Sequence, residues 1–211
     1  MPPVKQQKPK TNSMKLSKGW IILIVVVLAA ILLFSWGQGS YNNLVTKDQV
    51  VQQQWAQVEN VYQRRSDLIP NLVNTVKGVA NFEQKTLTDV IEARASATKV
   101  TISPKNLDEA SLQRFQAAQD NLSSTLSRLM MVTENYPQLK ATQNFSELQA
   151  QLEGTENRIT VERMKFNEVV QDYNIQVKRF PSNIFAGMFG FKEKAFFKAV
   201  QGAEKAPEVK F

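Results

Sequence analysis

The chain has 211 residues, 43% of them hydrophobic, with 26 Lys plus Arg against 19 Asp plus Glu and a formal net charge of +7. It contains neither cysteine nor histidine, which excludes disulfides, thiolate metal sites, cysteine nucleophiles, Ser/His/Asp hydrolases and zincins. The basic excess is local: Lys5, Lys8, Lys10, Lys15 and Lys18 precede the first acid, and without those five the balance is 21 to 19. A nucleic-acid partner, which the overall charge would suggest, therefore loses its footing.

The first element is an uncharged run from Trp20 to Trp36. As a helix it is about 26 Å long at ~1.5 Å per residue, and with Gly19 and Gly37 it approaches the ~20 residues that cross a bilayer core. Trp20 and Trp36 sit at its ends, where amphipathic rings prefer the headgroup level, and the lysines before it favour the cytoplasmic side. Residues 38–211 are then expected outside the cytoplasm. Two other readings compete. A buried soluble helix would need a large protein around it, and a cleaved signal peptide would use the small residues Gly37 and Gly39 but has an unusually long basic region before its apolar run. The expected organisation is a basic cytoplasmic tail at 1–19, a transmembrane helix at 20–37, an exported helical domain at 41–200 and a flexible tail at 201–211. The lysine tail is expected to meet anionic lipid.

Beyond the span the pattern is helical throughout. Thr46 with Gln49 predicts a capped start, followed by a stripe of Val51, Trp55, Val58 and Tyr62. Asp67 and Pro70 predict a break or a kinked restart, because proline lacks the amide donor. Leu68, Leu72, Val76, Val79, Leu87 and Ile91 continue an apolar face, and Thr98 to Asn106 reads as a turn. Ser103-Pro104 predicts the next helix start, with Phe115, Ala118, Leu122, Leu126 and Leu129 as its stripe and Tyr136-Pro137 as its end. Asn144 with Glu147 predicts a cap for a last helix of about 35 residues, roughly 50 Å, that Pro181 closes. The fold class expected is all-α: an elongated antiparallel bundle, with coiled-coil-like spacing, preceded by one transmembrane helix.

No sequence pattern supplies a catalytic, cofactor-binding or metal-ligating residue, and no GxGxxG or P-loop is present. The charged residues that stand out are Arg64, Arg65 and Asp67, Glu92 and Arg94, and Glu156, Arg158, Glu162 and Arg163. Arg64, Arg65, Asp67, Glu156 and Arg158 are expected to form a structural or interaction network that fixes helix register, with Arg158 and Glu162 spaced to pair on one face. After the long helix the chain turns aromatic. Phe185, Phe189, Phe191, Phe196 and Phe197 are the candidate membrane or partner surface, unless they pack back across a bundle end.

The stretch Tyr41-Asn42-Asn43-Leu44-Val45, Trp55, Gln63-Arg64-Arg65-Ser66-Asp67-Leu68-Ile69-Pro70-Asn71-Leu72-Val73 and Val76-Lys77-Gly78 resembles the N-terminal signature of the bacterial LemA proteins. Thr155-Glu156-Asn157-Arg158-Ile159, Phe166-Asn167, Tyr173-Asn174, Phe180-Pro181 and Gly190-Phe191 are similar to that family's C-terminal signature, in the same order. The resemblance covers about residues 20 to 200. It implies a membrane-anchored helical domain without a general enzymatic activity, and some members are associated with specialised membrane compartments. Two positions depart from the family pattern: Val79 replaces a frequent aromatic, and Phe82 replaces a histidine, which removes a metal or acid-base role there.

The function expected is that of a non-catalytic, membrane-tethered interaction or scaffold protein of the cell envelope. The alternative is a lipid-surface-binding or membrane-organising module that uses the Phe-rich segment. The partners expected are the lipid bilayer and either another protein or further copies of the chain. Neither a nucleic acid nor a small-molecule substrate is expected.

Overall fold

The computed structural model describes residues 18–78 and 82–198. Lys5, Lys8, Lys10, Lys15, Val79 and the tail expected from residue 201 lie outside them. All regular structure among the described residues is helical: α1 (Lys18–Lys77), α2 (Gln84–Lys99), α3 (Glu109–Thr133), the short α4 (Pro137–Lys140), α5 (Gln143–Lys178) and α6 (Ser182–Phe189). The chain divides into two compact units, Met1–Ser40 and Tyr41–Phe211.

In the first unit the apolar run is helical and none of its most apolar window is covered by protein. A helix that is apolar on every side needs either a protein around it or lipid as its solvent. This one is long and apolar enough to cross a membrane, and it supports a single-pass topology.

The second unit is a four-helix bundle. Arg128 pairs with Asp89, and Gln119 donates to the carbonyl of Ala97, so α2 runs antiparallel to α3. Val51 to Tyr62 share a core with Leu112, Phe115, Ile159, Phe166, Val170 and Tyr173, while Ile69 to Val76 share another with Leu122 to Leu129, Phe145 and Leu152. These pairings set α1 parallel to α3 and antiparallel to α5, an up-down-up-down order.

Several helix boundaries differ from the sequence expectation. Thr46 does not cap a helix; it lies inside α1, and its hydroxyl donates to the carbonyl of Asn42 at 2.9 Å. Pro70 neither breaks nor restarts α1. A mid-helix proline leaves the carbonyl four residues earlier without its amide donor; here that carbonyl belongs to Ser66, and Arg94 Nε donates to it at 2.8 Å. The Ser103-Pro104 start is also displaced. α3 begins at Glu109, and the cap is Asp108, whose carboxylate accepts from the Ser111 amide at 2.8 Å. α3 ends at Thr133, and Pro137 instead occupies the first turn of α4. α5 matches its expected length at 36 residues, but its N-cap is Thr142 rather than Asn144, and the Thr142 hydroxyl donates back to the Leu139 carbonyl at 2.7 Å instead of capping α5.

Candidate functional site

The two apolar cores meet at a polar layer. Arg65 follows Tyr62 and precedes Ile69 on α1; Gln119 and Ser123 flank Leu122 on α3; Glu156 lies between Leu152 and Ile159 on α5. The Arg65 side chain, 1% exposed, reaches all three. One terminal nitrogen donates to Ser123 Oγ at 2.6 Å and Glu156 Oε1 at 2.7 Å, the other to Gln119 Oε1 at 2.5 Å and the Gln119 carbonyl at 3.3 Å. Its guanidinium also lies 5.1 Å from the centroid of the Tyr62 ring. Three helices can satisfy this fork only in one relative register, because its donors are fixed in a plane.

The other residues expected in this network do not join it. Arg64, Asp67 and Arg158 are exposed, and Asp67 accepts from Gln63 Nε2 on its own helix at 2.7 Å. Glu162 accepts from Gln54 at 2.6 Å and Lys165 at 2.9 Å rather than from Arg158. Those bonds, that from Lys165 first, hold its carboxyl below the ordinary carboxylate range.

The Phe-rich segment divides between core and surface. Phe197 is 6% exposed and belongs to the core, with its ring stacked 6.0 Å from Trp55 and edge-on to Phe166 at 5.4 Å. It is therefore not part of a membrane or partner surface. Phe191 is half-buried against the same core and Phe185 is half-buried, whereas Phe189 and Phe196 are exposed.

What brings Phe197 inside is a strap that sequence reasoning missed. After Gly190, which ends α6 in the left-handed region at φ 76°, residues 191–198 run without regular structure along the bundle. A chain without secondary structure must find other partners for its amides and carbonyls. α5 supplies them from two asparagines. Asn174 donates to the Lys194 carbonyl at 2.8 Å and accepts from its amide at 2.9 Å; Asn167 does the same for Phe197, both at 2.9 Å. Tyr173 Oη donates to the Lys192 carbonyl at 3.0 Å, and Arg163 and Gln116 both donate to that of Lys198 at 2.9 Å. The Lys194 ammonium is buried against Asp48 at 2.8 Å and the Pro104 carbonyl at 3.2 Å.

The phenols of two tyrosines of the core that Val51 to Tyr62 share with α3 and α5 are pushed up. Burial, with Asp48 adding to it, pushes the Tyr173 phenol up to about 12. Burial also raises Tyr62, against the opposing charges of Arg163 and Arg65.

An open groove of about 640 Å³ runs beside Tyr41, Asp48, Asp108, Tyr173 and Phe189 to Lys194. Its three carboxylates are already engaged, Asp48 with Lys194, Glu193 with Lys178 and Asp108 at the α3 cap. Among the described residues no group of three or more His, Cys, Asp or Glu side chains could hold a metal ion.

A helix that carries the apolar run and continues as the first of four bundle helices, with an asparagine-held strap along the bundle, supports a single-pass membrane protein with an all-α domain. The LemA family profile matches residues 54–211. The chain belongs to the LemA family. Its relatives include magnetosome protein MamQ 2 of Paramagnetospirillum magneticum, 24% identical over 84% of this chain and 71% of that protein. MamQ of Magnetospirillum gryphiswaldense is 23% identical over the same shares, 84% and 71%. Protein LemA of Metamycoplasma hominis is 21% identical over 86% of this chain and 79% of its own length.

Proposed function

We propose that the chain is a membrane-tethered, non-catalytic interaction module whose bundle is displayed outside the cytoplasm as a scaffold for protein contacts. The observation that carries this reading is where the polar groups of the bundle interior go. Through its two terminal nitrogens Arg65 ties α1 to α3 and α5, and Asn167, Asn174 and Lys194 hold the strap. A reaction requires convergent groups free to meet a substrate in a concave site, whereas a scaffold requires a body of fixed shape.

The orientation rests on the lysines before the span. Photo-crosslinkers at the exposed positions Gln151 and Met164, used in intact membranes, test the scaffold role. Discrete protein adducts that disappear in an Arg65→Ala chain are expected. A diffuse pattern, or one unaffected by that substitution, contradicts the reading.

A further inference from the structure

Among the described residues beyond the span, exposed large apolar side chains are scattered except near α6, where Phe180, Ile184, Met188 and Phe189 fall within ten positions. α6 turns Ser182 and Ala186 inward. A surface helix ordinarily balances such an inner face with a polar outer one. Here the outer face carries Ile184 and Met188, 52% and 71% exposed, and Phe180 just before the helix is 75% exposed.

Two further observations say what covers this face. The first is chain reach: the Phe189 ring packs edge-on to Tyr41 with centroids 4.7 Å apart, and Tyr41 follows Trp36 by five residues. Five residues span at most about 18 Å even when fully extended. The second is charge. From Arg179 to Lys192 the chain has no acid, and its only two charges are the exposed Arg179 and Lys192 that bracket the apolar residues. Apolar side chains flanked by cations are the pattern of a helix that lies in a lipid headgroup region, with its apolar face ~5–10 Å deep.

We propose that the outer face of α6 docks into the surface of the bilayer that holds the Trp20–Trp36 span, giving the bundle a second membrane contact. The proposal rests on the tether of the preceding reading but not on which leaflet the bundle faces. The five residues expected at the surface from sequence are thereby sorted differently, with Phe185 half-buried on α6. Phe189 and the outer face of α6 carry the contact, Phe191 and Phe197 do not, and Phe196 lies on the strap.

The absence of cysteine makes the test direct. Full-length Met188→Cys, and Ala150→Cys on exposed α5 as the control, each carry one thiol for a small fluorophore. The chains are reconstituted in phosphatidylethanolamine/phosphatidylglycerol vesicles, and only the carbonate-resistant fraction is measured. Spin-labelled lipid is expected to quench the probe at 188 at least twofold more than at 150, with iodide showing the reverse order. Equal quenching at the two positions overturns the docking. Protection from iodide at 188 without lipid quenching also overturns it, since the cover is then a second copy of the chain. Release of the chain by carbonate overturns the tether, and the docking with it.

Discussion

Arg94 Nε donates to the main-chain carbonyl of Ser66, the acceptor that Pro70 leaves without its helical partner. A side chain on α2 thus completes the hydrogen bonding of α1 and lets a proline sit inside a 60-residue helix.

Arg94→Ala should therefore cost about 1–3 kcal/mol, the cost of a buried acceptor left unpaired. In a Pro70→Ala background the restored amide takes the Ser66 carbonyl, and the same substitution should cost about 1 kcal/mol less or better. Denaturant melts of the four chains in a double-mutant cycle measure this coupling. Additive effects would show that Arg94 acts otherwise.

Arg65→Ala should destabilise the bundle by about 3–5 kcal/mol, because it removes one partner from a buried network and strands Gln119, Ser123 and Glu156. Glu156→Ala leaves the 1% exposed guanidinium without its carboxylate, so it should cost a comparable amount, about 3–5 kcal/mol. Arg64→Ala and Arg158→Ala, at exposed positions, should stay within about 0.5 kcal/mol. A melting series ranks them, and an Arg158 effect as large as that of Arg65 would refute the assignment of the layer.

Much of this architecture is legible in the sequence. The stripes of α1, α3 and α5 carry the cores, because helical spacing alone decides which residues share a face. What was illegible depends on distant partners. Pro70 reads as a break because Arg94 lies on another helix. Arg64, Asp67 and Arg158 read as members of the network because nearness in sequence does not say which side chain points inward; only Arg65 keeps step with Tyr62 and Ile69. Asn167 and Asn174 carried one usable signal: each follows an aromatic of the stripe, Phe166 and Tyr173, seven residues apart. Their partners are main-chain groups of a strap with no periodicity, which no side-chain pattern records.

Asn174→Ala should free the strap, leaving the Lys194 amide and carbonyl unpaired at about 1–3 kcal/mol for each buried group. Hydrogen exchange is the sensitive readout: the amides of Lys194 and Phe197 should lose protection well before those of α3. Asn174→Asp keeps an acceptor for the Lys194 amide but sets a carboxylate against its carbonyl, so it should not rescue the strap.

Tyr173 makes alkaline stability a test of the core it shares with Trp55 and Tyr62. Its folded value is raised from 10.0 to about 12, so its contribution is fully present below pH ~10 and is lost as pH rises toward ~12. Tyrosinate absorbance should show a late step that disappears in Tyr173→Phe, and the bundle should lose stability over the same window. A Tyr173→Phe chain with an unchanged titration curve would place the late step elsewhere.

In the proposed topology the span displays this bundle outside the cytoplasm. The most direct measurement is labelling of Ala150→Cys in intact spheroplasts with a membrane-impermeant maleimide, scored on carbonate-resistant membranes. Labelling without lysis, on chain retained in the membrane, is the predicted result. Labelling only after lysis, or chain released by carbonate, would contradict it.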